Sequence, residues 1–315
     1  MSILHGVAAQ DNRPAVVFVG QATSTMHHIR AFSARGRELW SYFGSPETSG
    51  NDFRSVAMDR AGNTYVCGAK GSVEYPNILK FSPRGDILWS HFDTDVWHVY
   101  VNDDANRVVF SDASFDGGVR VRVHDLEMNV VANYTGSYGV KFAFVNATGE
   151  RWHLESGSDH IIKYDASANV LWTHDFGQTI TCAVLDGNDQ IVVGGNSGRF
   201  RRYNSGGTVN LSGTLSGYIS DVAVDLNGNI CLALHGGVLR KLTVTGQTVF
   251  SVNAAHFKFS SVAVDNSGNI HAVYQSANWP NDNTMRSYTP SGVSFRIINH
   301  GRSRYIRSIA TRPRR

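Results

Sequence analysis

A pattern that returns about every 40 residues constrains the fold of this chain more than any other feature. Its best copy is residues 53–92, FRSVAMDRAGNTYVCGAKGSVEYPNILKFSPRGDILWSHF. Apolar residues alternate there with small or polar ones in four short runs, which predicts four strands. Residues 59–63 (DRAGN) and 82–86 (SPRGD) are typical turn sequences, because Asp bonds its own backbone and Gly adopts positive φ. The copy is therefore predicted to be a four-stranded antiparallel meander.

Later copies keep the same order of strands and turns. Residues 221–229 (DVAVDLNGN) and 261–269 (SVAVDNSGN) match the first half of the pattern closely, and weaker copies lie between them and the best one. Starting from Asp59, the equivalent positions are spaced by 39 to 44 residues and are Asn102, Asn146, Asp186, Asp225 and Asp265. That spacing is the length of one β-propeller blade.

The two ends of the chain complete the count of blades. The copy at residues 16–43 lacks a first strand, and residues 307–312 (RSIATR) match the first strand RSVAMD at 54–59. Residues 305–312 are therefore predicted to complete the first blade, which removes the open sheet edges. The prediction is an all-β, seven-bladed β-propeller of four-stranded antiparallel blades closed by the C-terminal strand. Residues 1–13 are interpreted as an N-terminal tail or arm, and residues 14–315 as the single propeller.

Composition agrees with one closed domain. A chain of 315 residues usually suggests about two domains, but the repeat runs nearly from end to end without a linker. The net charge of +3 is too small to favour nucleic acid as a partner. The N-terminus has no basic region followed by a long apolar run, so we expect no signal peptide or transmembrane segment and a cytoplasmic or virion-associated location.

Three sets of residues that resemble functional sites are interpreted as structural. Cys67, Cys182 and Cys231 fall in predicted strands without metal or disulfide spacing, so buried free thiols are expected. The Asp-x-x-Gly-Asn turns are interpreted as Asx turns, because a calcium loop needs several oxygen ligands. The third strands carry cations that are expected to pack along the blades, with a polyanion-binding ring as the alternative. Lys80, Arg122, Lys163, Arg202 and Lys241 are expected to share one site, and Arg30 and Arg286 to lie one position away.

The repeat resembles the bacterial SBBP β-propeller repeat. Residues 55–68 (SVAMDRAGNTYVCG) and 85–90 (GDILWS) carry the resemblance, the third strands are also similar to NHL repeats, and the Leu-Trp-Ser endings resemble PQQ-type propeller repeats. The third blade departs most, because its turn at 102–106 (NDDAN) lacks Gly and its fourth strand lacks Trp. The resemblance implies a propeller but no activity, since these families include ligand-binding modules, scaffolds and a few lyases.

Loop length marks one sector of the propeller. The loops between second and third strands share one face with the crossings to the next blade, and we call it the loop face. These loops are short in blades five and six, at 194–199 and 234–237, and long in blades seven, one and two, at 274–284, 20–27 and 68–77. Rigid aromatic and polar residues in such loops are typical of contact surfaces. The predicted binding residues are Glu74, Tyr75, Trp279, Asp282, His300 and Arg302.

The leading functional prediction is a non-enzymatic binding or structural module that presents the loop face to a protein or glycan partner. A bacteriophage virion or tail accessory component is one form of this hypothesis. The alternative is a propeller lyase or hydrolase with histidines such as His98 and acids at the axial mouth, assisted by a metal. No Gly-x-Ser-x-Gly motif is present, and no catalytic residue, metal ligand, cofactor or membrane insertion is predicted.

Overall fold

The described residues form 28 strands in seven four-stranded antiparallel sheets, as the repeat predicted. The structure is a computed structural model. It describes residues 13–21, 27–43, 52–69, 76–93, 95–113, 119–135, 138–156, 158–254, 257–276, 284–299 and 305–313.

Each sheet is one blade, and the strands are numbered in chain order. The strands of the first half are β1 (Val16–Gln21), β2 (His27–Phe32), β3 (Glu38–Phe43), β4 (Asp52–Met58), β5 (Thr64–Ala69), β6 (Ile78–Phe81), β7 (Ile87–His91), β8 (Val96–Asn102), β9 (Arg107–Asp112), β10 (Val119–His124), β11 (Val130–Thr135), β12 (Val140–Val145), β13 (Arg151–Glu155) and β14 (His160–Tyr164). Those of the second half are β15 (Val170–Asp175), β16 (Ile180–Leu185), β17 (Ile191–Gly195), β18 (Arg199–Tyr203), β19 (Val209–Thr214), β20 (Ile219–Val224), β21 (Ile230–Leu234), β22 (Val238–Leu242), β23 (Thr248–Asn253), β24 (Phe257–Val264), β25 (Ile270–Ser276), β26 (Thr284–Tyr288), β27 (Ser294–Asn299) and β28 (Tyr305–Thr311).

Blade one contains both ends of the chain. Its strand order is β28-β1-β2-β3, and β28 pairs antiparallel with β1, so that Ile309 faces Phe18 across the pair. Blades two to seven take β4 to β27 in groups of four. The first strand of each blade lies innermost, and Ile306 and Ile309 of β28 are buried among residues of blades one and seven. The prediction that the C-terminal strand closes the propeller is confirmed.

The core lies between the flat faces of neighbouring blades. Second strands such as β5, β17 and β21 are mostly apolar and wholly buried, because both of their faces contact another sheet. Val17 and Ile29 of blade one, for example, pack in one cluster with Val66 and Leu79 of blade two. Outer strands such as β15 alternate between exposed and half-buried residues. Almost all of the described residues that line the channel along the axis belong to the first strands, and these position the candidate site.

The Asp turns have the structural role that the sequence predicted. The backbone N–H of Asn63 donates to one carboxylate oxygen of Asp59 at 2.8 Å, and its side-chain amide donates to the other at 2.7 Å. The same pairing of Asp with Asn recurs in four other turns, at Asp125, Asp165, Asp225 and Asp265. These turns lie on the face opposite the loop face, which we call the turn face.

The third-strand cations join neighbouring blades. Lys80, Lys163, Arg202 and Lys241 each donate to a backbone carbonyl in the next blade, and the acceptors are Leu126, Ser205, Gly228 and Pro290. Three of the four side chains are buried, those of Lys163, Arg202 and Lys241. The prediction that such cations pack along the blades is confirmed.

The prediction that Arg122 shares this site is wrong. Val123 pairs with Val109 where Lys80 pairs with Tyr65, so Arg122 lies one position away, as Arg30 and Arg286 do. One position along a strand turns a side chain to the other face of the sheet. Arg122 accordingly reaches back to Asp93, before blade three, at 2.7 Å.

The three cysteines are buried free thiols, as predicted. Burial raises the pKa of each thiol, to about 12 for Cys231. Among the described residues, no helix is long and apolar enough to cross a membrane.

Candidate binding site at the channel mouth

The six residues predicted to bind a partner lie outside the described residues. They are Glu74, Tyr75, Trp279, Asp282, His300 and Arg302. By chain position they belong to the connections from β5 to β6, from β25 to β26 and from β27 to β28. The described strands that these connections join end on the loop face, which also carries the site described next. The part of these six residues in binding stays a prediction.

The channel opens on the loop face through a ring of bulged residues. In every blade a buried apolar residue near the start of the innermost strand is followed by a shift in register, a β-bulge that frees one side chain from the ladder. The residues at this bulge, from blade one to blade seven, are Arg307, Arg54, Trp97, Lys141, Thr181, Ser220 and Ser260. We call them the mouth ring.

The mouth ring has two chemically different parts. In blades four to seven the side chain donates to the backbone of the next blade. The donors and acceptors are Lys141 to Ile180 at 3.0 Å, Thr181 to Ile219 at 2.5 Å, Ser220 to Phe259 at 2.6 Å and Ser260 to Ile306 at 2.9 Å. Blades one to three carry the long side chains of Arg307, Arg54 and Trp97 instead. The ring is thus small and hydroxyl-rich on one side, and cationic and aromatic on the other.

Arg54 and Trp97 form a stacked pair at this mouth. The guanidinium carbon of Arg54 lies 4.0 Å from the centre of the Trp97 ring, a cation–π arrangement. Trp97 is nevertheless 38% exposed, and Tyr218, on the other side of the mouth, is 41% exposed. Tyr218 is held by an edge-on contact with His235, at 5.7 Å between ring centres. Two partly fixed aromatic side chains therefore flank the opening.

The channel behind the mouth has a volume of about 730 Å³. Blades three and four fill one side of it with His98, Tyr100, Phe142 and Phe144, and small residues such as Ala57 line the other side. The imidazole of His98 lies 5.1 Å from the ring of Phe142, and burial lowers its pKa to about 3. Burial therefore favours the neutral form of His98.

Asp221 is the one acid among the described residues that line the channel. Its carboxylate accepts hydrogen bonds from the hydroxyl of Ser261 at 2.5 Å and the backbone N–H groups of Val262 at 2.9 Å and Val222 at 2.8 Å. Burial raises its pKa to about 6. Two of these donors belong to blade seven, so the carboxylate joins blades six and seven.

Sequence reasoning named His98 for the channel but missed the mouth ring. The signal was present, because each member directly follows an apolar residue near the start of an inner strand. Strand alternation alone would direct the side chain at this position between neighbouring blades. The bulge turns that side chain toward the channel axis. In the described part of the chain, no three His, Cys, Asp or Glu side chains come together to form a metal site.

Two solved structures show what this chain is similar to. The β-propeller domain of Cps50 (Swd1) from Myceliophteria thermophila aligns over 80% of this chain and 87% of its own, at 12% identity and a TM-score of 0.65. Sqt1 from Saccharomyces cerevisiae aligns over 92% of this chain and 87% of its own, at 11% identity and a TM-score of 0.64. The similarity is one of fold. No protein-family model matches the chain, and no curated protein sequence matches it.

Proposed function

We propose that this propeller is a protein-binding module that holds a segment of a partner at the channel mouth. The observation that carries the proposal is the exposed indole of Trp97, stacked under Arg54 at the rim of a concave site. Tryptophan and arginine are the residues most often responsible for binding energy at protein interfaces. Both side chains stand on inner strands of a closed propeller, so little conformational entropy is lost when a partner binds.

The long connections of the loop face would extend this contact surface. Glu74 and Tyr75 follow β5 of blade two, whose inner strand carries Arg54, and His300 and Arg302 precede β28, which carries Arg307. Blades one and two thus combine long connections with long side chains at the mouth. Within this proposal a protein partner is favoured, and a glycan partner, a virion role and SBBP- or NHL-type repeats stay hypotheses.

The enzyme alternative has less support. His98 is packed between Phe142 and Phe144, and Asp221 has its oxygens engaged by three donors. A general acid or base must reach the proton that it transfers. Neither group presents a reactive atom at the mouth, where the exposed residues instead suit contact with a partner.

Site-specific photo-crosslinking tests the proposal. A benzoylphenylalanine placed at Trp97 should crosslink one partner protein in extracts of the source cells, whereas the same group at Leu226, which is 63% exposed on the turn face, should not. With that partner purified, Trp97→Ala should weaken binding about thirtyfold, the loss of an anchor worth about 2 kcal/mol. Equal crosslinking from both positions, or undiminished binding by Trp97→Ala, would contradict a site at the mouth.

A further inference from the structure

The channel mouth carries a concentration of positive charge. Three of its seven ring residues are cations, Arg307, Arg54 and Lys141, and they come from blades one, two and four. Asp221 is the one acid among the described channel-lining residues, and its oxygens are engaged with blades six and seven. Outside the ring, Asp95 lies 3.6 Å from Arg54 and the charge of Asp159 acts on Lys141, so both acids offset part of the positive charge. The mouth ring itself is positive, because it contains three cations and no acid.

Two of the three cations at the mouth already make contacts of their own. The guanidinium of Arg54 lies over the ring of Trp97 and within 3.6 Å of Asp95, and the Arg54 side chain is 17% exposed. Lys141 uses one of its three N–H donors on Ile180, and burial lowers the pKa of its amine. A carboxylate bound beside this amine would offset the energetic cost of burying its charge. Arg307 is exposed at the rim.

We propose that the segment held at the channel mouth is acidic, with carboxylates facing Arg54, Lys141 and Arg307 and an apolar residue against Trp97 and Tyr218. This inference rests on the proposed function and names the chemistry of the partner. A nucleic acid fits less well, because single strands are bound along grooves with a series of phosphate contacts. Here the three cations lie at the mouth of a channel of about 730 Å³, which has room for a few side chains.

Fluorescence anisotropy with two labelled peptides tests this inference on the full chain. The probes are EEFEE and QQFQQ, which differ only in charge. The acidic peptide should bind at least tenfold more tightly than the neutral one, since hydrogen bonds to charged groups are the stronger kind. Its binding should weaken as NaCl is raised from about 0.05 to 0.5 M, which shortens the screening length. Acetylated and amidated peptide ends keep terminal charges out of the comparison.

Matched variants test which cations bind the acidic peptide. Arg307→Gln should weaken binding of EEFEE about threefold to tenfold, whereas Arg84→Gln, the same change at an exposed residue of the turn face, should leave it unchanged. Lys141→Gln should act like Arg307→Gln. Because Lys141 also bonds Ile180, each variant is checked for an unchanged melting temperature, and the exposed Arg307 keeps the test decisive if Lys141→Gln fails to fold.

Several results would overturn the inference. They are equal affinity for the two peptides, no binding of EEFEE up to about 1 mM, equal losses from Arg307→Gln and Arg84→Gln, or tighter binding of a labelled oligo-dT. If crosslinking from position 97 still captures a partner whose binding is insensitive to Arg307→Gln and to salt, the proposed function survives and the acidic partner does not. If Trp97→Ala has no effect on that partner either, both proposals fail.

Discussion

The indole ring of Trp172, on the outer strand of blade four, lies directly against Gly207 in the turn before the outer strand of blade five. A Cβ added at Gly207 would lie 2.9 Å from Cγ of Trp172, and Gly207 has a φ of +86°. The indole N–H donates to the carbonyl of Ser205 in the same turn at 3.2 Å. The arrangement recurs in three other blade pairs, as Trp40 on Gly85, Leu211 on Gly246 and Phe250 on Gly292. Neighbouring blades are therefore joined at the turn face by a side chain packed on a glycine.

Replacing that glycine should destabilise the protein. Gly207→Ala combines a strained φ with a clash against a ring, so we expect a loss of about 2 to 3 kcal/mol in the free energy of unfolding. The adjacent Gly206 is a matched control, because its added Cβ would meet only the side chain of Asn204 at 3.5 Å and its φ is not positive. Gly206→Ala should change the stability by less than about 0.5 kcal/mol. Urea denaturation measures the free energy of unfolding of both variants. Similar losses in the two would refute the role of the contact between the Trp172 ring and Gly207.

Removing β28 should cost the whole fold. Deletion of residues 305–315 takes the inner strand from blade one, exposes the edge of β1 and removes the buried Ile306 and Ile309. The loss should be comparable to the total stability of a domain, about 5 to 15 kcal/mol, because the ring of blades is opened. Differential scanning calorimetry should show no cooperative transition. A truncated chain that melts cooperatively at an unchanged temperature would show that β28 does not close the propeller.

The fold could be predicted from the sequence because each blade repeats the same local rules. Alternation in residues 53–92 predicted the strands, the DRAGN and SPRGD turns fixed their connections, and the match of 307–312 with 54–59 predicted the closure. Those rules are local, so each copy supports the others. The position of Arg122 was wrong for the same reason, since a strand of alternating Val and Arg fits either register until its pairing with β9 is known.

The candidate site could not be predicted in the same way. Arg54, Trp97 and Lys141 look unrelated in the sequence, because they are about 43 residues apart and only the closure of the ring brings them to one opening. Loop length pointed to the loop face and to blades seven, one and two, and Arg307 and Arg54 lie in two of these three blades. The loop residues themselves, such as Trp279, lie outside the described residues, so their part in binding stays a prediction.

The buried ion pair between Lys241 and Asp225 should be essential to stability. Its atoms lie 2.9 Å apart and both side chains are only 4% exposed. Lys241→Met leaves a buried carboxylate without its cation, which should cost about 3 to 5 kcal/mol. The exposed pair of Arg60 and Asp104 is the control, and Arg60→Met should cost about 1 kcal/mol or less. Thermal melting of both variants compares the two losses. Equal shifts in melting temperature would mean that breaking the buried pair costs no more than breaking the exposed one.

Proton binding by Asp221 should stabilise the folded protein more at pH 5 than at pH 7. Burial raises the pKa of this carboxyl from 3.8 to about 6, so the folded chain holds a proton that the unfolded chain releases between these values. Stability from this group therefore increases as the pH falls from 7 toward 4, by about 1 kcal/mol between pH 7 and pH 5. Asp221→Asn should abolish that increment in urea denaturation at the two pH values.

Asp225→Asn is the control for this pH dependence. The pKa of Asp225 is lowered in the folded chain by hydrogen bonds to Lys241 and Asn229, which outweigh the effect of its burial. Its contribution is therefore lost only as the pH falls below about 4, and it is constant between pH 5 and pH 7. Asp225→Asn should lower stability equally at both values. If Asp221→Asn keeps the full difference between pH 5 and pH 7, its carboxyl is ionised in the folded protein at both, and the hydrogen bonds from Ser261, Val262 and Val222 outweigh the cost of burying its charge.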